Sequence, residues 1–549
     1  MDDGHIIARL LEDTAAKYPD YPAVRWIVKK QIPEKLYREL DEDRNKIASA
    51  LLKNGFEGKQ VAMIGTSSYE WIASYLGIVS TKITAVPLDP MLPPLELCDL
   101  INRSDSEALF IAPKLASMID TVKENCPAVR LYVVLDGNPS PEDPSIVSFA
   151  EFISGEDGAA VAEDKRPLSD DVCTIIFTSG TTGKSKGVML TQRNLYDDVT
   201  NVVVTFDPGT TMLSVLPVHH AYCLVMDWLK GFSLGATLYI NDSLLHMVRN
   251  IGIVKPQVLL MVPLMIETIG KRLAAIESDL PKPEIAKQLM GENLEYIFSG
   301  GAHLDPAYIS LFEEYGIKVC EGYGMSECSP TISSNGQTGN RPGSVGKVLA
   351  NMQVRFVDGE IQVKGSNVMK GYYKRPDLTE KVMTVDGWFD TGDLGLLSVH
   401  DEIVIKGRKK DTIVLLGGEN VEPVPIESKL AESRFIKTAV VVGQDQRYLG
   451  ALILAEEEEI KAYASENGIQ YESYEALLAS EEIQKLYDSE INGLVNPRTG
   501  FKMFERINKF ALITKPFEVG VELSAKQEIM RYRLAEIYKT EINSIFKSE

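Results

Sequence analysis

Basic residues are in short supply in this 549-residue chain. Lysine and arginine number 57 against 78 aspartates and glutamates, for a formal net charge of −21 at neutral pH. That balance repels phosphate backbones and anionic membrane surfaces, and no basic patch offsets it, which sets nucleic-acid binding aside. A small anionic ligand stays compatible, because a buried site sets its own field. Long apolar runs are missing too. The longest, from Val258 to Ile266, holds nine residues and contains Pro263, whereas a membrane-spanning helix needs roughly twenty. The opening MDDGHIIARL is acidic and too short in apolar residues to read as a signal peptide. Six cysteines (Cys98, Cys126, Cys173, Cys223, Cys320 and Cys328) are scattered with no C-x-x-C pair. The expectation is reduced thiols in a cytoplasmic protein, without a disulfide framework or a zinc site. Low-complexity stretches and internal repeats are likewise absent.

What is present is the composition of a soluble globular protein, 44% hydrophobic and 25% charged. At roughly 150 residues per domain the length suggests three or four structural units. Segments of helical period alternate with short β-rich runs. Leu40, Ile47 and Leu51 share one helical face, and VAMIG (61–65) then reads as a buried strand. The alternation returns around Tyr75–Ser80, in ITAVPLD (83–89) and in LYVVLDG (131–137). Strands alternating with helices predict an α/β architecture with mostly parallel sheets. The basic stretch KGRKKD (406–411) follows the strand-like EIVIK (402–406) and precedes IVLLGG (413–418), and marks a domain boundary. Beyond it, EEEE (456–459) reads as a solvated helix start. Met530, Leu534, Ile537 and Ile545 fall at helical spacing and predict a closing amphipathic helix.

The segment richest in chemistry is CTIIFTSGTTGKSKGVMLTQRNL (173–195). A short apolar strand feeds a loop of hydroxyls and glycines: Thr178, Ser179, Gly180, Thr181, Thr182 and Gly183. Glycines let the backbone approach phosphate oxygens, and exposed N–H groups with hydroxyls supply donors. Thr191 is placed as the N-cap of the next helix. A Walker A loop would need glycine five positions before Gly183, and Thr178 stands there, so the ordinary P-loop is excluded.

TSGTTGKSKGV resembles the phosphate loop of the adenylate-forming (AMP-binding) superfamily, which includes acyl-CoA synthetases, peptide-synthetase adenylation domains and luciferases. LPVHHAY (216–222), SGGA (299–302), GYGMSE (322–327), DGWFDTGDLG (386–395) and KGRKKD (406–411) follow in that superfamily's order. Within it the chain resembles long-chain fatty acyl-CoA synthetases, through YEWIASYLGIVSTKITAVPLDP (69–90), LPVHHAY and the stretch at 490–517. The resemblance implies a large N-terminal multi-sheet α/β region, 1–409, that binds AMP and the acyl group. It also implies a small mobile α/β domain, 410–549, turning about a hinge at Lys410.

The residues then take roles by resemblance. The loop from Thr178, with Lys186, would hold the β- and γ-phosphates of ATP. Glu327 would be the Mg²⁺ carboxylate, since a hard cation takes oxygen ligands. Tyr323 offers a flat face to adenine. Gly301 and Ala302 meet the purine edge, and Gly322, Gly324 and Ser326 complete that side. Asp393 would accept both ribose hydroxyls, with Arg408 adding a second contact. His220, of the pair His219–His220, would border the carboxylate and the acyl tunnel. Gly417 and Gly418 match a place where the backbone passes the pantetheine arm, and equally suit a plain turn.

One departure stands out. Such enzymes carry a lysine in a late loop that contacts the α-phosphate and the carboxylate. Aligned on Ile529–Arg531, that position holds Glu528. Losing one positioned donor costs roughly 3–4 kcal/mol of transition-state stabilisation, and reversing the sign should cost more. Lys526 could substitute, since residues two apart in an extended loop point the same way, roughly 6.5–7 Å apart. Alternatively Glu528 is an altered position, or the protein has kept only nucleotide binding or thiol transfer. The expectation is an ATP- and Mg²⁺-dependent ligase joining a medium- or long-chain fatty acid to CoA through an acyl-adenylate. Its alternatives are an acyl-AMP ligase loading the thiol of an acyl carrier protein, and an adenylation-impaired pseudoenzyme. Any membrane contact would be peripheral, to capture fatty acid. A luciferase-like oxygenase is disfavoured by the subgroup resemblance.

Overall fold

The computed structural model describes residues 4–29, 31–137, 143–178, 185–337, 341–417, 419–523 and 529–546. The chain folds as two units. The first comprises 1–355, 362–390 and 398–403, and the second comprises 356–361, 391–397 and 404–549. Among the described residues no helix is long and apolar enough to cross a membrane.

The first unit carries two large sheets. One has eight strands in the order Gly371–Tyr372, Lys186–Thr191, Val172–Thr178, Thr84–Leu88, Gln60–Ile64, Ser106–Ile111, Leu131–Val134 and Ile146–Ser148. From Val172–Thr178 to Ile146–Ser148 the neighbours run parallel, and only Lys186–Thr191 reverses, pairing antiparallel with Val172–Thr178 on one side and Gly371–Tyr372 on the other. Parallel strands covered on both faces need continuous apolar runs, and Val61 to Ile64 are all fully buried. The other sheet has nine strands, with a parallel centre from Pro22–Trp26 to Lys318–Gly324 and antiparallel strands at its edges. Its central order is Pro22–Trp26, Thr237–Ile240, Thr211–Ser214, Val258–Met261, Tyr296–Ser299 and Lys318–Gly324.

The helix Tyr37–Lys53 buries Leu40, Ile47 and Leu51 together, as their spacing predicts. Tyr75–Ser80 departs from its β-rich reading: Tyr69–Val79 is one helix, N-capped by Ser68, whose Oγ accepts from the Trp71 amide at 3.1 Å. Trp71, Ile72, Tyr75, Leu76, Ile78 and Val79 are all buried. A helix apolar all round loses the 3.6-residue stripe by which helices are read, leaving an apolar run that fits a strand equally well. Gly77 lets this helix approach its neighbour, because a Cβ there would lie 2.6 Å from the Ile47 side chain.

The second unit has its own core. Strands Ile436–Val442 and Leu449–Ala455 pair antiparallel, and Ile507–Ile513 adds in parallel. Val421, Leu449, Ile453, Ile460, Leu477, Ile483 and Tyr487 pack in one cluster with the helices Glu457–Glu466 and Glu481–Leu494. Glu457, Glu458 and Glu459 occupy the first turn of Glu457–Glu466, where the helix dipole favours negative charge. The single closing helix expected from 530 to 545 is two helices, Arg531–Ile537 and Lys539–Phe546. The break falls at Tyr538, whose ring is buried beside Phe517, while Ile537 is turned to solvent. All six cysteines are buried as free thiols.

Candidate active site

The phosphate-loop segment forms a hairpin stem. Strand Val172–Thr178 leads into it, Lys186–Thr191 pairs back antiparallel, and Thr178 and Lys186 are register partners. Ser179, Gly180, Thr181, Thr182 and Gly183 lie outside the described residues. In a P-loop the loop passes straight into a helix; here a strand intervenes, in keeping with the missing Walker glycine. The helix Gln192–Asn201 then begins at Thr191, whose Oγ1 accepts from the Asn194 amide at 3.1 Å, while Asn194 Oδ1 accepts from the Thr191 amide at 2.8 Å. Arg103 holds both feet of the loop. Its Nη2 donates to the Ser185 carbonyl at 2.5 Å, and its guanidinium lies 5.4 Å from the centroid of the Phe177 ring. Gly187 is tight here, since a Cβ would stand 2.9 Å from Ile175 Cγ2.

GYGMSE is held by the strand that follows it. Lys318–Gly324 ends in a 3₁₀ turn, Ser326–Cys328, and Ser329 takes the left-handed conformation with φ 71°. The chain returns as Thr331–Ser334, antiparallel to its own start. At the crossing the Met325 amide donates to the Pro330 carbonyl at 2.8 Å. A Cβ on Gly324 would lie 1.8 Å from that same oxygen, so only glycine fits. Glu327 is buried in the turn, and its backbone carbonyl accepts from the Met369 amide at 2.8 Å.

Tyr372 joins this turn to the phosphate-loop stem. Its hydroxyl donates to Glu327 Oε1 at 2.9 Å, and Lys186 Nζ donates to that hydroxyl at 3.3 Å. The same ammonium lies 4.5 Å from the centroid of the tyrosine ring. Burial, and then the Glu327 carboxylate, push the phenol well above its ordinary range, so it stays a donor. Asp198, on helix Gln192–Asn201, secures the underside. It accepts from the Thr331 amide at 3.1 Å, the Thr331 hydroxyl at 3.3 Å and Asn367 Nδ2 at 2.7 Å. Asn194 Nδ2 donates to the carbonyls of Ser366 and Val368. Segments far apart in sequence are thereby fastened around Glu327.

LPVHHAY and SGGA also meet. Tyr222 donates to the Phe298 carbonyl at 3.0 Å, and a Cβ on Gly300 would lie 3.1 Å from its ring. Gly301 has φ +89°, a backbone state natural to glycine. His219 is buried with Nε2 3.7 Å from Asp89 Oδ1. Burial pushes its imidazole down, partly offset by Asp89, so the ring is neutral at pH 7. His220 is half-buried, with its ring centroid 4.2 Å from that of His219. Tyr323 is half-buried in its strand, Gly322 pairs with Ser334, and Ser326 is buried in the turn; Ala302 is exposed. Beside them, burial pushes the Glu321 carboxyl up to about 8. Its register partner is Ser299 on the adjacent strand.

The remaining predicted residues belong to the second unit. Asp393 is buried, with Oδ1 3.3 Å from Arg408 Nε, so the two ribose candidates are neighbours. Lys409 Nζ pairs with Glu360 Oε2 at 2.7 Å. KGRKKD is only partly a loop: strand Ile403–Arg408 runs through Arg408, and Lys410 follows in a turn. Gly417 lies in a turn, while Gly418, Lys526 and Glu528 lie outside the described residues. The chain beyond Glu528 is anchored by Arg531, whose Nη2 lies 2.5 Å from Glu427 Oε2, while Glu427 Oε1 accepts from the Val441 amide at 2.7 Å. Glu427→Gln is expected to lower the stability of the second unit by about 2 kcal/mol, a value typical of a hydrogen bond to a charged group, read by chemical denaturation.

Tyr372, Arg103 and Asp198 carry no local pattern that marks them in the sequence. A tyrosine in KGYYKRPD, an arginine at a helix end and an aspartate within a helix are each ordinary.

A family model described as AMP-binding enzyme matches residues 11–373, and one described as AMP-binding enzyme C-terminal domain matches 410–549. The chain is 28% identical to a chloroplastic long-chain-fatty-acid–[acyl-carrier-protein] ligase of Arabidopsis thaliana, over 93% of this chain and 82% of that one. It is 27% identical to the long-chain-fatty-acid–CoA ligase FadD15 of Mycobacterium bovis, over 90% of this chain and 88% of that one. Among solved structures, ATP-bound MatB from Rhodopseudomonas palustris shares the fold with a TM-score of 0.76 at 23% identity, covering 98% of this chain and 99% of that one. The mixed α/β architecture, the ordered motifs and the match over most of its length place one conclusion beyond the resemblance: the chain belongs to the AMP-binding enzyme family of adenylate-forming proteins.

Proposed function

We propose that this protein is an adenylate-forming acid–thiol ligase that joins a medium- or long-chain fatty acid to CoA. The observation that carries the reading is the meeting of Lys186 and Glu327 at one tyrosine hydroxyl, at the foot of the phosphate loop. A lysine there suits the β- and γ-phosphates. A buried carboxylate beside it suits a divalent cation shared with those phosphates.

Among the described residues no group of three histidine, cysteine, aspartate or glutamate side chains is placed to hold a metal. Mg²⁺ is commonly held by one or two carboxylates, substrate phosphates and water. Glu327 would hold it, and when bound it would neutralise triphosphate charge. A carboxylate oxygen of the acid attacks the α-phosphorus of ATP, the bond to the β-phosphate oxygen breaks, and pyrophosphate leaves. The acceptor thiol then loses its proton and attacks the acyl carbonyl, and AMP leaves with the bonding pair. In this reading Asp393 and Arg408 bind ribose, Tyr323 with Gly301 and Ala302 binds adenine, and His220 borders the acid. The domains divide at 409/410, with Lys410 as hinge.

A carrier-protein thiol in place of CoA is the second reading, favoured by the name of the Arabidopsis relative. The test is pyrophosphate release with ATP, Mg²⁺ and a panel of acids from acetate to long-chain and aryl acids, with CoA, with acyl carrier protein and with neither. Lys526→Ala and Glu528→Lys are run beside the parent. We expect the parent to be active with a medium- or long-chain acid and to collapse in Lys526→Ala. A silent parent revived by Glu528→Lys would mean an intact site disabled at one position. Silence in all three, with ATP still bound, would replace the ligase reading by a nucleotide-binding one.

A further inference from the structure

We propose that the Tyr372 hydroxyl is a spacer that keeps Lys186 and Glu327 from pairing with each other, so that both charges stay available to the nucleotide and its cation. This rests on the adenylation reading above and adds a positioning residue to it. Two opposite charges facing a common, largely buried point attract strongly, and a direct ion pair would quench both. No such pair forms. The phenol stands between them, accepting from Lys186 Nζ at 3.3 Å and donating to Glu327 Oε1 at 2.9 Å. No protein donor is bonded to Glu327 Oε2 among the described residues, which leaves that oxygen for a cation.

The backbone holds Tyr372 in place from both sides. Tyr372 pairs with Val188 and Gly371 with Met189 in the antiparallel ladder. Lys186 lies two residues before Val188 on the same strand, and so on the same face as Tyr372. The Tyr372 amide donates to Thr379 Oγ1 at 2.9 Å, the Tyr373 amide donates to the Gly187 carbonyl at 2.7 Å, and the Tyr373 hydroxyl donates to Asp105 Oδ2 at 2.7 Å. Gly371 has φ +142°, and a Cβ there would lie 3.0 Å from Thr379 Cγ2. The tyrosine is therefore placed by the sheet and does not depend on either charge for its position. A residue held in this way can separate two charges without being drawn toward one of them.

The test is Tyr372→Phe, which keeps the ring and its packing and removes only the hydroxyl. Mn²⁺ is the probe in the presence of ATP, followed by the electron paramagnetic resonance signal of the free ion. Parent, Tyr372→Phe, Lys186→Met and the double variant are compared, with melting temperatures measured alongside. Loss of the spacer should weaken Mn²⁺ binding about tenfold in Tyr372→Phe, a coupling of the size that contacting residues show. Once Lys186 is gone there is nothing left to space, so the double variant should match Lys186→Met. Losses that add in the double variant would assign Tyr372 a merely structural part and overturn the proposal. A parent that binds ATP and Mn²⁺ while Tyr372→Phe binds them equally well would overturn the spacer alone. A parent that binds neither would overturn the adenylation reading, and the spacer with it.

Discussion

Glu327→Gln is expected to remove nearly all pyrophosphate release while leaving the protein folded. Glutamine has the same shape, and its Oε1 can still accept the Tyr372 hydroxyl that the carboxylate accepts at 2.9 Å. The negative charge is what disappears. A carboxylate beside a triphosphate and its cation contributes charge stabilisation worth about 4 kcal/mol, or about 10³ in rate, when water is excluded. The site meets that condition, because Glu327 is buried. The measurement is the rate of pyrophosphate release across a Mg²⁺ titration, with ATP binding in the absence of metal as a control. A loss that is steepest at low Mg²⁺, with metal-free ATP binding retained, is the expected result. A parental rate at low Mg²⁺ would show that the cation is held elsewhere.

Gly324→Ala should produce a large loss of stability. The added methyl would sit 1.8 Å from the Pro330 carbonyl oxygen, 2.8 Å from its carbon and 3.0 Å from Thr331 Cα. All three are backbone atoms, and no side chain can swing aside. The hairpin must open, and the 2.8 Å hydrogen bond from the Met325 amide to Pro330 breaks with it. Overpacking of this kind costs about 3 kcal/mol or more. The turn that carries Glu327 is displaced at the same time, so activity falls together with the melting temperature. Gly322→Ala is the contrast. Its methyl would meet only the Ser333 carbonyl at 3.5 Å, an ordinary contact, and thermal unfolding should stay close to parent. Equal melting of the two variants would contradict this account of the hairpin.

The order of the motifs is legible in the sequence, and so are the α/β alternation, the Thr191 cap and the helical face of Leu40, Ile47 and Leu51. Each is a local pattern, in which residues within a few positions of one another fulfil one geometric requirement. Local patterns mislead where they are degenerate. Tyr75–Ser80 is apolar almost throughout, so its period says nothing, and in the fold it closes the Ser68-capped helix Tyr69–Val79, which lies close against Ile47. The closing segment keeps a helical spacing past Tyr538, yet the chain breaks there and the tyrosine ring is buried.

The chemistry on offer is written in the chain itself: a glycine- and hydroxyl-rich loop, a lysine after it, and an acid in GYGMSE. How these groups come together is a matter of long-range packing. Tyr372 reaches Lys186 across 186 positions of chain and Glu327 across 45, and Asp198 reaches Asn367 across 169. Contacts of that span arise from sheet register and from the close return of the backbone at Gly324. Neither leaves a period or a spacing in the sequence, because each depends on where two separately folded segments meet.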